Sequence, residues 1–336
     1  MPRSDQPFAV VDIGSNTVKL YVFVCDSFGE PALVFHHADT VRVGHRIAAS
    51  GRISDDRAAR LVETLQHMER EARAKGANRL FAIATEAFRQ AANAADVQRD
   101  IHDRTGWQVD IISGDDETQL TFDAAQSFIV VNGSATVIAD IGGASTEVVV
   151  VSDQGSLTAA GSVKLGSGSL FDEHIGASPP PLGAMATARR HSIERLRQAR
   201  LLPRFTDHLL LPGGTGHFLH ELLTILDSSA VLDRHGLSVL NNWLSSKRAE
   251  ETAELLGIQV QRARVLPAGL AIVEALFAEL RPGEARAIPS GIGLGLARRI
   301  CRIDGAKQPC DRREPEVGND CANHWQRICV SNSIDK

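Results

Sequence analysis

A short pattern that occurs twice constrains the fold of this chain more than any other feature of its sequence. Each copy is an apolar run, an Asp-Ile-Gly segment followed by hydroxyl residues, and a second apolar run; the two aspartates are Asp12 and Asp140. Runs of β-branched residues favour strands, and the glycines between them favour a turn. The sequence therefore predicts two similar β-hairpins, and their repetition predicts a duplicated unit whose halves face each other.

The atoms of such a turn suit a phosphate group. Glycine has no Cβ, so backbone N–H groups can approach a phosphate closely, and hydroxyl side chains add neutral donors. Asp12 and Asp140, each at the end of a strand, are placed to hold a hydrated Mg²⁺ that bridges phosphate oxygens. The predicted phosphate-binding residues of the two turns are Gly14, Ser15, Asn16, Thr17, Gly142, Gly143, Ala144, Ser145 and Thr146.

Length, composition and charge limit the classes of function. At 336 residues the chain is long enough for two domains, and its 43% hydrophobic and 23% charged residues are ordinary for a globular protein. No apolar run approaches the length needed to span a bilayer, so no membrane association is expected. The net charge of −5 argues against a nucleic-acid partner. An anionic substrate must be met by local basic groups.

The cysteines predict a reducing environment. There are five, an odd number, and three of them lie close together near the C-terminus, at Cys310, Cys321 and Cys329. This distribution favours free thiols, and therefore a cytoplasmic location, over a disulfide framework.

Strand-like and helix-like segments alternate along the chain, which predicts an α/β fold. The first domain is predicted at residues 1–126 and the second at 127–290, with a C-terminal helix at about 291–304 completing the first. A turn at Gly213-Gly214-Thr215 is a further candidate for phosphate contact, ahead of a helix from His217. Residues 305–336 are polar and aperiodic, and we expect a loosely ordered tail there.

Over roughly residues 8–300 the chain resembles the exopolyphosphatase/guanosine pentaphosphate phosphatase (Ppx/GppA) family, within the superfamily of actin, sugar kinases and the heat-shock chaperone ATPase. Four motifs in order carry the resemblance: Asp12-Ile-Gly-Ser-Asn-Thr17, Ala84-Thr85-Glu86-Ala87-Phe88-Arg89, Ser113-Gly114-Asp115-Asp116-Glu117 and Asp140-Ile-Gly-Gly-Ala-Ser-Thr-Glu147. The resemblance implies two actin-like (ribonuclease H-like) domains with the active site in the cleft between them.

The same resemblance implies an activity. It implies hydrolysis of the terminal phosphoanhydride of inorganic polyphosphate, or of guanosine pentaphosphate to the tetraphosphate, with Mg²⁺. A monovalent cation such as K⁺ and a homodimer are further expectations. Glu117 matches the catalytic base of the family, and Asp140 and Glu147 match residues tied to catalysis and metal. Asp12, Asp140 and Glu147 are therefore the predicted metal ligands.

The structural alternative for Glu117 is a helix cap. It follows Ser113 at a predicted helix start, where Asp115, Asp116 and Glu117 would complement the helix dipole, which also favours an ionised carboxylate. The flanking hairpins favour the catalytic interpretation of Glu117.

Basic residues are needed to neutralise a phosphate chain. Arg89 matches an arginine that faces the substrate phosphates in the family, and a guanidinium can clamp a phosphate bidentately. Arg42 and Lys164 are candidates to track a long anion, with solvated surface charges as the equal alternative. For His36, His37, His45, His217 and His220 a structural role is predicted.

The chain departs from the family pattern at three points. Ala144 replaces the third glycine usual in the second turn, so its Cβ is expected to tighten the phosphate loop. Gly293-Leu294-Gly295 replaces a charged segment, which predicts a loss of charge near the cleft. The chain also lacks the helical C-terminal extension of longer relatives, which predicts a preference for shorter polyphosphate.

Two other functions stay open on the sequence alone. One is a regulator that binds polyphosphate or guanosine penta- or tetraphosphate without hydrolysing it. The other is a kinase of the same superfamily, which needs an acceptor pocket that no segment marks.

Overall fold

The second half of the chain repeats the strand arrangement of the first. The computed structural model describes residues 6–130, 134–229 and 231–306. The strands of the first sheet are β1 (Phe8–Ile13), β2 (Val18–Cys25), β3 (Pro31–Asp39), β4 (Arg79–Ala84) and β5 (Val109–Ile111). Those of the second sheet are β6 (Thr136–Ile141), β7 (Thr146–Val151), β8 (Leu157–Val163), β9 (His208–Leu211) and β10 (Ala285–Ala287).

The two sheets share one topology. Their strand orders are β3-β2-β1-β4-β5 and β8-β7-β6-β9-β10. In each, the first three strands of the half form an antiparallel meander, and the fourth and fifth add in parallel beside the first. The predicted hairpins are β1–β2 and β6–β7. Mixed sheets covered by helices confirm the α/β class.

Helices cover the sheets and fill the connections. In the first half they are α1 (Ile47–Ser50), α2 (Asp55–Ala74), α3 (Glu86–Gln90), α4 (Ala94–Thr105) and α5 (Gly114–Ala125). In the second half they are α6 (Ser167–Leu170), α7 (Ala184–Ala199), α8 (Gly213–Leu226), α9 (Arg234–Ser246), α10 (Ala249–Leu256), α11 (Val260–Ala263), α12 (Leu266–Leu280) and α13 (Ile292–Ala306), with a π-helical turn at Phe171–Ile175.

Helix α5 joins the two halves. Its buried face packs against α13, and it also contacts β7 and β8 of the second sheet. A buried ion pair fixes α13 on α5, with Arg299 Nε 2.6 Å from Asp123 Oδ2. Because α5 begins at the junction, its first turns face the space between the two sheets. The predicted domain boundaries, near residues 126 and 290, stay predictions.

One helix start needs correction and one helix was not predicted, whereas the C-terminal helix predicted at about 291–304 is observed. Helix α8 begins at Gly213 and not at His217, so the Gly213-Gly214-Thr215 segment is its first turn. Helix α9 was not predicted, although Asp233 caps its N-terminus and accepts from the backbone N–H of Gly236. Helix α13 begins at Ile292, so Gly293-Leu294-Gly295 is helical. A Cβ at Gly293 would lie 2.6 Å from the ring of Tyr21, so glycine there serves packing.

The prediction that all five cysteines are free thiols is wrong. Cys25 at the end of β2 and Cys301 in α13 form a disulfide, with their Cα atoms 5.5 Å apart. The two residues are 276 positions apart in sequence, and only the packing of α13 on the first sheet brings them together. The argument for a reducing compartment therefore fails. The other three cysteines and nearly all of the predicted tail lie outside the described residues.

The helices do not form membrane spans in the described part of the chain. Within residues 6–130, 134–229 and 231–306, no helix is both long enough and apolar enough to cross a bilayer.

Because α13 packs closely on α5, adding a single methyl group to α13 is expected to lower stability. A Cβ at Gly295 would lie 2.0 Å from the carbonyl oxygen of Leu120, too close for any side chain. We expect Gly295→Ala to lower the free energy of unfolding by about 1–3 kcal/mol, because forcing the helices apart outweighs the higher helix propensity of alanine. Urea denaturation measures this change.

Gly283→Ala is the matched control, since nothing lies within 4 Å of a Cβ built there. It should leave the urea midpoint nearly unchanged. Equal midpoints for the two variants would show that α13 does not depend on this close approach.

Candidate active site

The two predicted hairpins have the same turn. The N–H of Gly14 donates to the carbonyl of Thr17 at 3.1 Å, and the N–H of Gly142 donates to that of Ser145 at 2.9 Å. Their flanking residues differ in charge. Asp12 pairs with Lys19 across β1 and β2, whereas Asp140 pairs with Glu147 across β6 and β7. Equivalent positions therefore carry a lysine in one half and a glutamate in the other.

The tips of the two turns touch. A Cβ at Gly143 would lie 2.8 Å from both the backbone nitrogen and the Cβ of Asn16, so only glycine fits at that point. Behind the second turn, the N–H groups of Gly168 and Ser169 at the start of α6 donate to the carbonyl of Gly143. These contacts hold the two turns against each other at the base of the cleft.

A cavity opens beside this contact. Its walls contain the four carboxylates of Asp12, Glu117, Asp140 and Glu147. Other predicted residues along it are Gly14, Ser15, Asn16, Thr17, Gly142, Gly143, Ser145, Gly214 and Thr215. The fold thus collects residues from both hairpins, from α5 and from α8 at one place.

Some predicted phosphate-binding residues lie behind the cavity surface. The hydroxyl of Thr146 donates to the carbonyl of Leu165 and is buried. Gly213 backs Asp140, since a Cβ on it would approach Asp140 Oδ1 to 2.4 Å. Ala144 is half-buried beside the turn, and its backbone is not left-handed, so its Cβ fits without strain.

Two of the predicted basic residues are paired with carboxylates. Arg42 is buried, with Nη2 2.8 Å from Oδ1 of Asp172, across the cleft from it. Lys164 is largely exposed, and its Nζ lies 4.0 Å from Glu86 Oε1. Neither residue lines the cavity. A phosphate chain whose end is bound in the cavity would have to start there before it could reach either of them.

Arg89 holds the predicted base. Its Nη2 lies 2.9 Å from Glu117 Oε2 and 2.7 Å from Glu86 Oε2, and its Nη1 donates to the carbonyl of Ile112 at 2.8 Å. The guanidinium therefore fixes the orientation of the Glu117 carboxylate at the cavity wall. Glu117 does not cap α5: Ser113 and Asp116 form the reciprocal capping pair.

Burial is the largest influence on the pKa values of the carboxylates along the cavity. It raises the pKa of Asp12, and it raises the pKa of Asp140 to about 6. Burial and the nearby charge of Asp140 raise the pKa of Glu147 to about 7, even though the Ser162 hydroxyl donates to that carboxylate at 2.8 Å. Three acidic groups thus share one desolvated place, where a cation would be strongly favoured.

Glu117 is affected in the same way. Burial and the charge of Glu147 raise its pKa well above the usual value, against the opposing effect of Arg89. The expectation that the helix dipole keeps this carboxylate ionised is therefore outweighed by desolvation. A raised pKa brings a carboxylate closer to the value that suits a general base at neutral pH.

Two cations along the cavity were missed in the sequence. Burial lowers the pKa of Lys19, but the charges of Tyr21, Asp12 and Asp140 outweigh burial and leave that pKa raised. Burial lowers the pKa of Arg262 to about 10; its guanidinium lies over the ring of Phe218 and its Nη1 is 3.4 Å from Thr17 Oγ1. Lys19 was detectable as the strand partner of Asp12, whereas nothing near Arg262 in sequence marks it.

The donor atoms of the cavity suit a hard divalent cation. Asp12 Oδ1 is buried and has no hydrogen-bond partner among the described residues. Together with Asp140 and Glu147 it offers carboxylate oxygens only, the ligands that Mg²⁺ prefers.

Known proteins share this sequence and this fold. Exopolyphosphatase 1 of Mycobacterium leprae is 30% identical over 329 residues, which cover 94% of this chain and 97% of that protein. Exopolyphosphatase 1 of Mycobacterium tuberculosis strain H37Rv is 29% identical over 299 residues, covering 86% and 87%.

Solved structures agree in fold. An exopolyphosphatase from Cytophaga hutchinsonii superimposes with a TM-score of 0.79 at 19% identity, covering 88% of this chain and 98% of that one. The Ppx/GppA family member from Aquifex aeolicus gives a TM-score of 0.70 at 19% identity, covering 90% and 99%. The predicted pair of actin-like domains is confirmed.

The family match settles the class of protein. Residues 23–296 match the Ppx/GppA phosphatase family. The prediction of a hydrolase of the exopolyphosphatase type is thereby confirmed at the level of the family. A match over most of its length, together with a relative that is 30% identical, shows that this chain belongs to the Ppx/GppA phosphatase family.

Proposed function

We propose that the enzyme hydrolyses the terminal phosphoanhydride bond of inorganic polyphosphate, using a water molecule activated by Glu117. One observation carries the proposal. The buried Glu117 carboxylate, oriented by Arg89, lies along the same cavity as both glycine turns and the carboxylates of Asp12, Asp140 and Glu147. The names of the similar mycobacterial and Cytophaga proteins support the same substrate.

The turns would position the end of the phosphate chain. Backbone N–H groups of the two turns and the hydroxyls of Ser15, Thr17 and Ser145 are donors along the cavity. Lys19 and Arg262 add positive charge beside them. Phosphoryl transfer depends mainly on such positioning and charge neutralisation.

Glu117 would supply the base. It takes a proton from water as the water oxygen bonds to the terminal phosphorus, and the bond from that phosphorus to the bridging oxygen breaks. The products are inorganic phosphate and a chain shortened by one phosphate, whose new terminal oxygen keeps the electron pair. Arg89 keeps the carboxylate aimed at the cavity during this step.

We also propose that Mg²⁺ is the cofactor. Asp12, Asp140 and Glu147 would hold it, and when bound it would neutralise charge on the phosphate oxygens.

Guanosine pentaphosphate carries a terminal phosphoanhydride of the same kind, so we include its hydrolysis to the tetraphosphate as a second activity of this site. K⁺, a homodimer and a cytoplasmic location stay predictions.

Replacing the base tests the mechanism. Glu117→Gln keeps the size of the side chain but cannot accept the proton, so we expect phosphate release from polyphosphate with Mg²⁺ to fall at least about 100-fold. Polyphosphate binding, measured by calorimetry, should persist.

Asp115→Asn is the matched control, because it removes an exposed carboxylate two residues away on the same helix. It should retain wild-type turnover. Unchanged turnover in Glu117→Gln would exclude Glu117 as the base, and an inactive wild type would favour a protein that only binds the chain.

The raised pKa values predict a pH dependence of stability. Carboxylates with pKa values of about 6 at Asp140 and about 7 at Glu147 hold protons more tightly in the folded chain than in the unfolded chain. Their contribution to stability is present below about pH 4 and is lost as the pH rises through about 7. For Asp140 alone, the rise from 3.8 to about 6 corresponds to about 3 kcal/mol.

We therefore expect the metal-free protein to lose thermal stability between about pH 4 and about pH 7, and Mg²⁺ to stabilise it more at the higher pH. Thermal melts with EDTA or with Mg²⁺ measure both effects. Asp140→Asn should reduce both, and Asp115→Asn should reduce neither. An Mg²⁺ effect that survives in Asp140→Asn would place the ion elsewhere.

The pairing of the basic residues predicts the chain-length preference. Arg42 and Arg89 are neutralised by carboxylates, and the cations along the described part of the cavity, Lys19 and Arg262, can contact only the last few phosphates. We expect kcat/KM per chain end to be at least as high for short polyphosphate as for long. Turnover on size-fractionated chains measures this, and a strong preference for long chains would contradict it.

A further inference from the structure

Two histidines and a glutamate meet on the outer side of the first sheet, away from the cavity. His67 and Glu71 lie four residues apart on α2, so their side chains share one face of the helix. His37 lies on β3. Its neighbour His36 points to the opposite face of the sheet, where its ring packs on Tyr21 at 4.8 Å between centroids. We call His37, His67 and Glu71 the His–Glu cluster.

The ligand atoms of the His–Glu cluster converge. His37 Nδ1 lies 2.8 Å from Glu71 Oε2, and His67 Nε2 lies 3.5 Å from Glu71 Oε1. One ligand atom from each residue lies within 4.8 Å of the other two. Two atoms that bind one metal ion with bonds of about 2.0–2.1 Å can be at most about 4.2 Å apart, so the two contacts with Glu71 fit a shared ion.

The contacts inside the cluster are not those of a closed hydrogen-bond network. Glu71 Oε2 is buried, yet it has no hydrogen-bond partner of acceptable geometry among the described residues, although His37 Nδ1 is close. A buried acceptor without a well-aligned donor costs free energy, and a cation bound between Glu71 and His37 would offset that cost.

We propose that the His–Glu cluster binds a divalent transition-metal ion of the Zn²⁺ class. Two imidazoles and a carboxylate form a donor set that suits zinc, unlike the all-oxygen set proposed for Mg²⁺ in the cleft. The side chain of His67 is 55% exposed, which gives the ion a path from solvent and leaves room for water as a fourth ligand.

A metal ion bound at the His–Glu cluster would stabilise the fold, because the cluster joins a strand to a helix. Strand β3 lies at the edge of its sheet and pairs there with β2. A metal ion held by β3 and α2 would cross-link the edge strand to the helix that covers it. Because the ion binds the folded chain, it would raise the melting temperature as its concentration rises.

Titration of the full, metal-free chain with Co²⁺ and with Zn²⁺ tests the proposal, the first followed by visible absorption and the second by calorimetry. The wild type should bind at the cluster, and His37→Ala, His67→Ala and Glu71→Gln should each lower the affinity at least about 10-fold. His67 is largely exposed, so its variant should fold even if His37→Ala does not. Circular dichroism checks the fold of each.

Two controls separate this site from other sites. His102→Ala removes an exposed histidine of the same domain, and Asp140→Asn alters the cleft; both should retain binding at the cluster. Neither control variant touches the cluster, and the cluster variants should keep hydrolytic activity. Loss of metal binding at the cluster and loss of phosphate release are therefore separate results, so this proposal can fail while the proposed function stands, and the reverse.

The proposal is overturned by any of three results. The first is no binding of Zn²⁺ or Co²⁺ by the wild type. The second is binding that persists in His37→Ala and His67→Ala. The third is binding that is lost instead in His191→Ala, which would assign the ion to Glu173, His174 and His191, a group that also brings metal-ligating atoms together.

Discussion

Four carboxylates along one cavity, three of them buried, are the constraint on which the rest of the structure depends. Desolvation raises the pKa values of all four, and the charge of a neighbouring carboxylate adds to the rise at Glu117, Asp140 and Glu147. Such a cluster is unfavourable for folding alone, so the surrounding structure has to hold it. The touching turns, the half-buried Lys19 beside Asp12 and the contact of Arg89 with Glu117 all serve that end. A cavity that costs stability and favours cations is consistent with the metal-assisted hydrolysis proposed above.

Duplication explains the shape of the cleft but not its chemistry. The two sheets have equivalent strands and equivalent turns, yet the residue opposite the turn aspartate is Lys19 in one half and Glu147 in the other. The proposed base, Glu117, comes from α5, which leaves the first sheet and packs against strands of the second. One half therefore supplies a positive charge, the other a second carboxylate, and the connection between them supplies the proposed base. The two halves thus have equivalent backbones, which bring these charged side chains together, but the side chains at equivalent positions differ.

Features encoded by neighbouring residues were predictable from the sequence, and those made by distant residues were not. The hairpins, the α/β class and the position of Glu117 near a helix start follow from local patterns. Arg262 reaches Thr17 across 245 positions, and Cys25 reaches Cys301 across 276, so no local pattern marks either contact. The start of α8 was misplaced because Gly213-Gly214 signals a turn, whereas the structure uses those glycines for close approach to Asp140 and Arg262.

Arg42 shows why the type of a residue does not decide its role. A basic loop beside a phosphate site suggests contact with substrate, but Arg42 is buried and its guanidinium donates to Asp172 Oδ1. The other oxygen of Asp172, Oδ2, lies 3.0 Å from Nδ1 of His45. Asp39 and Thr40 meet Gln259 in the same way, at 2.9 and 3.1 Å. These contacts join the two halves at the rim of the cleft. The buried pair of Arg42 with Asp172 is therefore part of the contact between the halves, and the guanidinium is committed to that contact and does not line the cavity.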